Sequence, residues 1–251
     1  MNGDRFPMGI TAGMARTRGF SLVELMISLT LGSLIAIAAI QLLSVNQRTF
    51  ATQQATSRVQ EDGQLALRFL ATDLRQAGYS GDVVASTSGV VLVGGPPVSS
   101  DSDPFDTLVI QFTGQRDCQG TASATAVSIT NAYAVNGNGE LTCNGSLTAG
   151  GAMAILPGIE AFRVLYGVDT TEDGEVGPFR FVGAASAVAL NRPVLAIRVG
   201  LLLSVDGLVT NSRAAQSWNV LDRSVNTAAD NAMRRPFFTT VMLRNQNWES
   251  L

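Results

Sequence analysis

The sequence predicts an α+β fold, in which a long N-terminal α-helix precedes an antiparallel β-sheet head. Residues 25–43 are 19 uncharged, mostly apolar residues, which is long enough for a helix that spans a bilayer. Residues 41–76 lack proline and are rich in Gln, Ala, Arg and Leu, which favours continuation of that helix. After residue 81, short β-rich runs alternate with Gly, Pro, Asn and Asp, as in antiparallel sheets. We therefore expect a helix over 20–78 and a β-rich domain over 79–251.

The first half of the predicted helix has the charge pattern of a membrane anchor. Arg16 and Arg18 precede the apolar run, and the next charge after it is Arg48, so the excess of positive charge places the N-terminus in the cytoplasm. Glu24 stands beside this run, where an unpaired carboxylate is costly in lipid. A cleaved secretory signal is an alternative, although its apolar region would be shorter and a small-residue cleavage site is not evident. A plain signal anchor is another, but it leaves Glu24 without a role.

The second half of the helix is predicted to be amphipathic and to lie against the head. Apolar or small residues recur at steps of three or four, which gives one buried stripe: Val59, Gly63, Ala66, Leu70, Leu74 and Ala77. Charged residues fall largely off it. Gly78 is expected to end the helix as a C′ cap.

The head is predicted to contain seven strands, which start near residues 90, 107, 131, 140, 159, 194 and 237. Residues 136–139 read Asn-Gly-Asn-Gly between two of these runs, and this is a strong signal for a hairpin turn.

The composition argues against an enzyme. The chain contains no His, and its 17 basic residues are all Arg, so a His base, a His metal ligand, a Schiff-base Lys and a P-loop Lys are excluded. We predict no cofactor. The net charge of -3, with acidic residues scattered along the chain, gives no reason to expect a nucleic-acid partner.

The residues before the apolar run resemble the class III signal of type IV prepilins and pseudopilins. The segment 18–25 reads RGFSLVEL, which combines a Gly-Phe junction, a Glu at the fifth position after it and a helix of membrane length. The resemblance implies a leader over 1–19, cleavage after Gly19 by a prepilin peptidase and methylation of the Phe20 amine. It also implies that Glu24 offsets the N-terminal charge of a neighbouring subunit. Because the family's leaders are usually short, we expect translation to start at Met14.

Three further segments resemble the PilW-type minor pilins: residues 69–79, 166–169 and 235–245. This resemblance implies a type IV pilin-like fold and a minor pilin that helps to initiate or cap the pilus. Such a subunit is stored in the bacterial inner membrane with its head in the periplasm, and then lies at the pilus tip. Its implied partners are the prepilin peptidase, other minor pilins, the major pilin and the assembly platform, with a tip adhesin as a further candidate. A minor pseudopilin of type II secretion, or a pilus-borne adhesin or DNA-binding tip module, is the alternative.

Cys118 and Cys143 are too far apart in sequence for a CxxC motif, and the chain has no His to complete a metal site. A disulfide is expected if the head lies in an oxidising compartment. Two separate buried thiols are the alternative.

Residues 169–175 resemble the first half of an EF-hand loop, with Asp169, Thr171 and Asp173 as weak calcium candidates. The twelfth position is Arg180, which cannot supply the bidentate carboxylate, so a solvated turn is the favoured interpretation and no metal is predicted. For Arg234 and Arg235, a solvated strand flank is favoured over a basic patch.

Overall fold

The structure is a computed structural model that describes residues 19–79, 104–169, 179–190, 194–205 and 214–243. The chain divides into two compact units, Met1–Gln47 and Arg48–Leu251. Its elements are, in order, α1 (Leu22–Leu74), β1 (Leu108–Arg116), β2 (Ala122–Val135), β3 (Leu141–Gly145), β4 (Met153–Leu156), β5 (Ile159–Asp169), β6 (Phe179–Val182), α2 (Ala184–Leu190), β7 (Val194–Val205), β8 (Gln216–Val220), β9 (Arg223–Thr227) and β10 (Met233–Met242). The predicted α+β class is confirmed. The predicted run near residue 90 lies outside the described residues.

The C-terminal part of α1 packs into the core of the second unit. All six residues of the predicted stripe are buried, and Val59, Leu70 and Leu74 are fully so. Burying three such side chains stabilises the fold by several kcal/mol at about 25 cal/mol per Å² of apolar surface. The charged residues of this segment are exposed or half-buried, as an amphipathic helix requires.

The end of α1 joins the first sheet. Gly78 has a φ of 79°, a left-handed conformation that Gly adopts without steric cost. Because α1 ends at Leu74 and the Gly78 N–H does not bond to a helix carbonyl, Gly78 turns the chain after the helix and is not the predicted C′ cap. The Gly78 N–H donates to the Gln111 carbonyl at 2.9 Å, and the Thr113 N–H donates to the Tyr79 carbonyl at 2.6 Å. These two hydrogen bonds join the residues that follow α1 to the edge strand β1.

The strands form three antiparallel sheets where the sequence predicted one. The orders are β1-β2-β3-β4, β10-β7-β5-β6 and the hairpin β8-β9. The Asn-Gly-Asn-Gly turn joins β2 to β3 as predicted, with the Asn136 N–H donating to the Glu140 carbonyl at 3.0 Å. Between β4 and β5, Gly158 has a φ of 80° and a Cβ there would clash with the Ser204 carbonyl. Only Gly fits so close to the Ser204 carbonyl. The chain passes from the first sheet to the second at this residue.

The central strand β7 is buried on both faces. Alternate residues of a strand point to opposite faces, and Leu201 and Leu203 join the main core with α1. Leu202 joins a smaller cluster with Ala161 of β5 and Val220 of β8. The β8-β9 hairpin therefore covers part of the outer face of the second sheet.

Candidate functional site

The predicted cleavage junction lies at the start of the described chain. Gly19 and Phe20 precede α1 and are exposed, and the Phe20 side chain is 81% accessible. Apart from its two neighbours in the chain, no described residue has an atom within 4 Å of a Cβ built at Gly19. Both residues are thus accessible in this structure. Cleavage after Gly19 and methylation of Phe20 remain predictions.

Ser21 and Glu24 form the N-terminal cap of α1, which the sequence analysis did not identify. The Glu24 N–H donates to Ser21 Oγ at 3.2 Å, and the Leu25 N–H donates to the Ser21 carbonyl at 3.1 Å. The Ser-Leu-Val-Glu order has the spacing of a capping box, and that signal was readable in the sequence. A carboxylate in the first turn also stabilises the positive end of the helix dipole.

The Glu24 side chain is exposed, and no cation of residues 19–79 or of the other described segments lies within ion-pair distance of it. It stands on a helix whose large apolar side chains are also exposed, among them Leu25, Ile35 and Leu42. An 18-residue window of this helix has a mean hydropathy of 2.1 and none of it is buried. By length and composition, α1 can cross a membrane.

The hydroxyl groups within this apolar segment are satisfied by the helix itself. Ser28 Oγ donates to the Glu24 carbonyl, Thr30 Oγ1 to the Ile27 carbonyl and Ser33 Oγ to the Thr30 carbonyl, each at 2.8 Å. Polar groups in lipid need such internal partners, because no water is present to replace them. The segment thus carries Glu24 as its one charged side chain over 22–43.

Cys118 and Cys143 form a disulfide with a Cα–Cα distance of 6.4 Å. It joins the turn before β2 to β3 and closes a loop of sequence separation 25. Next to it, the buried Asp117 carboxylate accepts hydrogen bonds from Gln119, Thr121, Leu147 and Thr148. The predicted disulfide is confirmed, and it lies in a loop that already has a fixed conformation.

A second polar network connects α1 to the disulfide region. Asp73 accepts hydrogen bonds from Asn131 Nδ2 at 2.7 Å and from the Tyr133 hydroxyl. Burial and the nearby Asp73 charge raise the pKa of Tyr133 well above its usual range. Asn131 Oδ1 accepts from the Cys118 N–H at 3.2 Å. Asp73 lies in a segment that the resemblance had marked, but its partners become neighbours only through β2.

Two arginines of the head, Arg163 and Arg234, form ion pairs with carboxylates. The sequence did not predict either set of ion pairs. Arg163 is 5% exposed and pairs with Asp106 at 2.8 Å and with Asp222 at 2.7 Å. Arg234 pairs with Glu160 at 2.6 Å and with Asp230. The Arg234 side chain is 7% exposed, so its interpretation as a solvated strand flank is wrong, and its charge is already neutralised. Arg235 is exposed.

The calcium candidates are only partly described. Asp169 is the last residue of β5, whereas Thr171 and Asp173 lie outside the described residues. Within the described part of the chain, no group of three or more Cys, Asp or Glu side chains could hold a metal ion.

Comparisons with known proteins give two family matches. Residues 14–40 match the Prokaryotic N-terminal methylation motif, and residues 129–245 match the family Type IV Pilus-assembly protein W. Among solved structures, the chain is similar to a type IV-like pilin from Thermus thermophilus, with 18% identity, a TM-score of 0.45, and coverage of 75% of this chain and 98% of that one. A comparison with curated protein sequences gives no match. The two family matches confirm the resemblance found in the sequence.

Proposed function

We propose that this chain, a minor pilin-like protein related to the type IV pilus, is a structural subunit that helps to initiate or cap pilus assembly. The observation that carries the proposal is the combination of an exposed apolar helix bearing Glu24 with a separately packed, disulfide-bonded head. An exposed apolar helix is not stable in water. It requires lipid before assembly and other apolar helices after it.

Processing is proposed to follow the methylation motif. The prepilin peptidase would cleave after Gly19, remove residues 1–19 and leave Phe20 as the new N-terminus. The exposure of both residues supports access by an enzyme at the membrane surface. The mature chain would then consist of the helical segment 20–78 and the head 79–251.

The proposed location is the bacterial inner membrane, with the N-terminus in the cytoplasm and the head in the periplasm. The chain is a membrane-anchored pilus component by its helix and its motif. The Cys118–Cys143 disulfide supports a periplasmic head, because disulfides persist in oxidising compartments. Its final location would be the pilus tip, beside other minor pilins and the major pilin, with the assembly platform as the partner that extracts it.

Glu24 is the residue proposed to determine assembly. In a filament core, its carboxylate would be shielded from water and would need a cation. The amine of Phe20 on a neighbouring subunit is the proposed cation, since Arg18 leaves with the leader. The Ser21 cap supports this role, because it holds the first turn of α1 and so limits where the carboxylate can lie.

A structural role without catalysis is favoured over an enzymatic one. The chain has no His and no Lys, and the strongly held charges of the head, on Arg163 and Arg234, are paired within the fold. The match to Type IV Pilus-assembly protein W supports a pilus over a type II secretion system.

The experiment compares Glu24→Ala and Glu24→Gln with the unchanged protein in sheared pili and in inner membranes. Both variants should insert in the membrane, because loss of the charge lowers the cost of burial in lipid. Both should be depleted from pili, since an unpaired buried amine costs several kcal/mol. Loss of filaments in a strain that lacks the chain, with antibody label confined to filament ends, supports initiation or capping. Equal abundance of either variant in pili contradicts the role of Glu24, and label along the whole filament contradicts the tip location.

A further inference from the structure

An open pocket of about 450 Å³ lies on the outer face of the second sheet, beside the β8-β9 hairpin. It is lined by Arg198, Asn219, Leu221, Phe238, Thr239 and Thr240. One cation on β7, Phe238 and two threonines on β10, and two residues of the β8-β9 hairpin thus face the same space.

Arg198 is held in a defined position. Its Nε donates to Thr240 Oγ1 at 3.0 Å, and Thr240 is its direct cross-strand neighbour on β10. Its guanidinium carbon stands 4.0 Å from the centre of the Phe181 ring. A cation over an aromatic face is attracted to it without losing its hydrogen-bond donors. The stack and the Nε bond therefore orient the guanidinium, and its two terminal nitrogens make no hydrogen bond to the described residues.

Arg198 differs from the other held arginines of the head. Arg163 and Arg234 each bind two carboxylates, whereas Arg198 has no carboxylate within ion-pair distance in the described segments. A guanidinium fork binds a carboxylate through two parallel N–H bonds. The fold thus orients Arg198 as it orients the arginines of its internal ion pairs, but no described carboxylate pairs with Arg198.

The hairpin forms a close wall of this pocket. Leu221, in the β8-β9 turn, has a φ of 58°, a left-handed conformation that is uncommon for a residue with a Cβ. A Cβ built at Gly200 of β7 would lie 2.8 Å from Leu221 Cγ and 3.1 Å from Val220 Cγ1. The Leu221 and Val220 side chains therefore pack closely on β7 at a residue that has no Cβ, and this contact places Leu221 and Asn219 at the pocket edge.

From this geometry we infer that the pocket binds an acidic side chain on an extended segment of another protein. Arg198 supplies the bidentate contact, the Thr240 and Asn219 side chains offer further polar contacts, and Phe238, which is 47% exposed, offers apolar surface beside the charge. Sites for phosphate groups combine several cations or backbone donors, whereas Arg198 is the one cation of this lining. Because the pocket is open to solvent, an acidic side chain can enter it while the rest of the segment lies on the sheet surface. The inference goes beyond the proposed function, since it concerns a partner of the head and not the assembly helix.

The test measures binding of a labelled peptide, Val-Glu-Val-Glu-Val, to the detergent-solubilised full chain by fluorescence anisotropy. The matched peptide Val-Gln-Val-Gln-Val has the same shape without the charge. The glutamate peptide should bind at least tenfold more tightly, as expected for charge-assisted hydrogen bonds. Equal binding of the two peptides, or no saturable binding up to about 1 mM, overturns the inference.

Protein variants locate the site. Arg198→Gln should weaken binding at least tenfold, whereas Arg235→Gln, which removes the same charge from an exposed residue, should change it less than about twofold. Equal weakening by both variants shows attraction by net charge alone and overturns the inference. Thr240→Val keeps the Arg198 charge but removes the acceptor of its Nε hydrogen bond, so it should weaken binding several-fold. This variant tests the site even if Arg198→Gln does not fold. No effect of Thr240→Val, or displacement of the peptide by phosphate at concentrations where acetate has no effect, contradicts carboxylate recognition.

Discussion

α1 packs tightly against the second sheet at Gly63, and this contact provides a sharp test of the fold. A Cβ at this position would lie 2.6 Å from Phe237 Cδ2 and closer still to the Cε2 and Cζ atoms of that ring. Real Cβ atoms do not approach a ring so closely, so the helix or the ring must move. We therefore predict that Gly63→Ala destabilises the head although alanine is the better helix former.

The expected change in the free energy of unfolding follows from two opposing contributions. Alanine in place of glycine in a helix interior stabilises by about 1 kcal/mol, and overpacking of a core costs about 1 to 3 kcal/mol. With a cost near the middle of that range, Gly63→Ala should lower the free energy of unfolding by about 1 kcal/mol. In a Phe237→Leu background the ring is absent, so the same change should raise the free energy of unfolding by up to about 1 kcal/mol.

The assay is a double-mutant cycle on the detergent-solubilised full chain, with urea unfolding followed by tryptophan fluorescence, to which Trp218 of β8 contributes. The expected result is a change of sign for Gly63→Ala between the two backgrounds. Residues in contact couple, whereas independent sites add within about 0.5 kcal/mol. A stabilising Gly63→Ala in the unchanged protein, or equal effects in both backgrounds, would refute the packing of Gly63 on Phe237.

Three further predictions concern processing, the disulfide and pH. Gly19→Val should accumulate as unprocessed precursor on an immunoblot, because a branched side chain blocks close backbone approach by the peptidase, and normal maturation contradicts this. Replacing both Cys118 and Cys143 by Ser should lower the free energy of unfolding by about 3.5 kcal/mol for a separation of 25, and an unchanged urea midpoint contradicts it. The hydrogen bonds from Arg234 hold the pKa of Asp230 at about 2, below its usual 3.8. The stability that this pair contributes is therefore present above pH 3.8 and lost as the pH falls towards 2. Between pH 5 and pH 2 the free energy of unfolding should fall less in Asp230→Asn than in the unchanged protein, and an equal fall contradicts this cause.

The local pattern of apolar residues was sufficient to predict the long helix and most of the long strands. The stripe from Val59 to Ala77 repeats with the helical period, and all of it is buried. The strand predicted to start near residue 194 is β7, Val194–Val205. Apolar residues repeat with the helical period in α1 and form a nearly continuous run in β7, so the sequence of each segment contains the signal by itself.

Short elements and the number of sheets were not predictable in this way. β4 and β6 have four residues each, and α2 has seven, which is too few for a period to be recognised. The β8-β9 hairpin was missed because few of its residues are buried. Its position is determined by Leu202 and Gly200 of β7, which are distant in sequence.

Four features could be predicted from the amino-acid sequence alone: the processing motif, the apolar helix with Glu24, the buried stripe and the pair of cysteines. Each of these depends on residues that are close along the chain or on a residue type that is rare in it. The ion pairs of Arg163 and Arg234, the link from Asp73 to the disulfide region and the pocket at Arg198 were decided only by the tertiary structure. The hydrogen bonds of Arg163, Asp73 and Arg198 to other elements, and the Arg234–Glu160 pair, join residues from 42 to 74 positions apart. The β-sheet register that brings such residues together depends on the packing of the whole head.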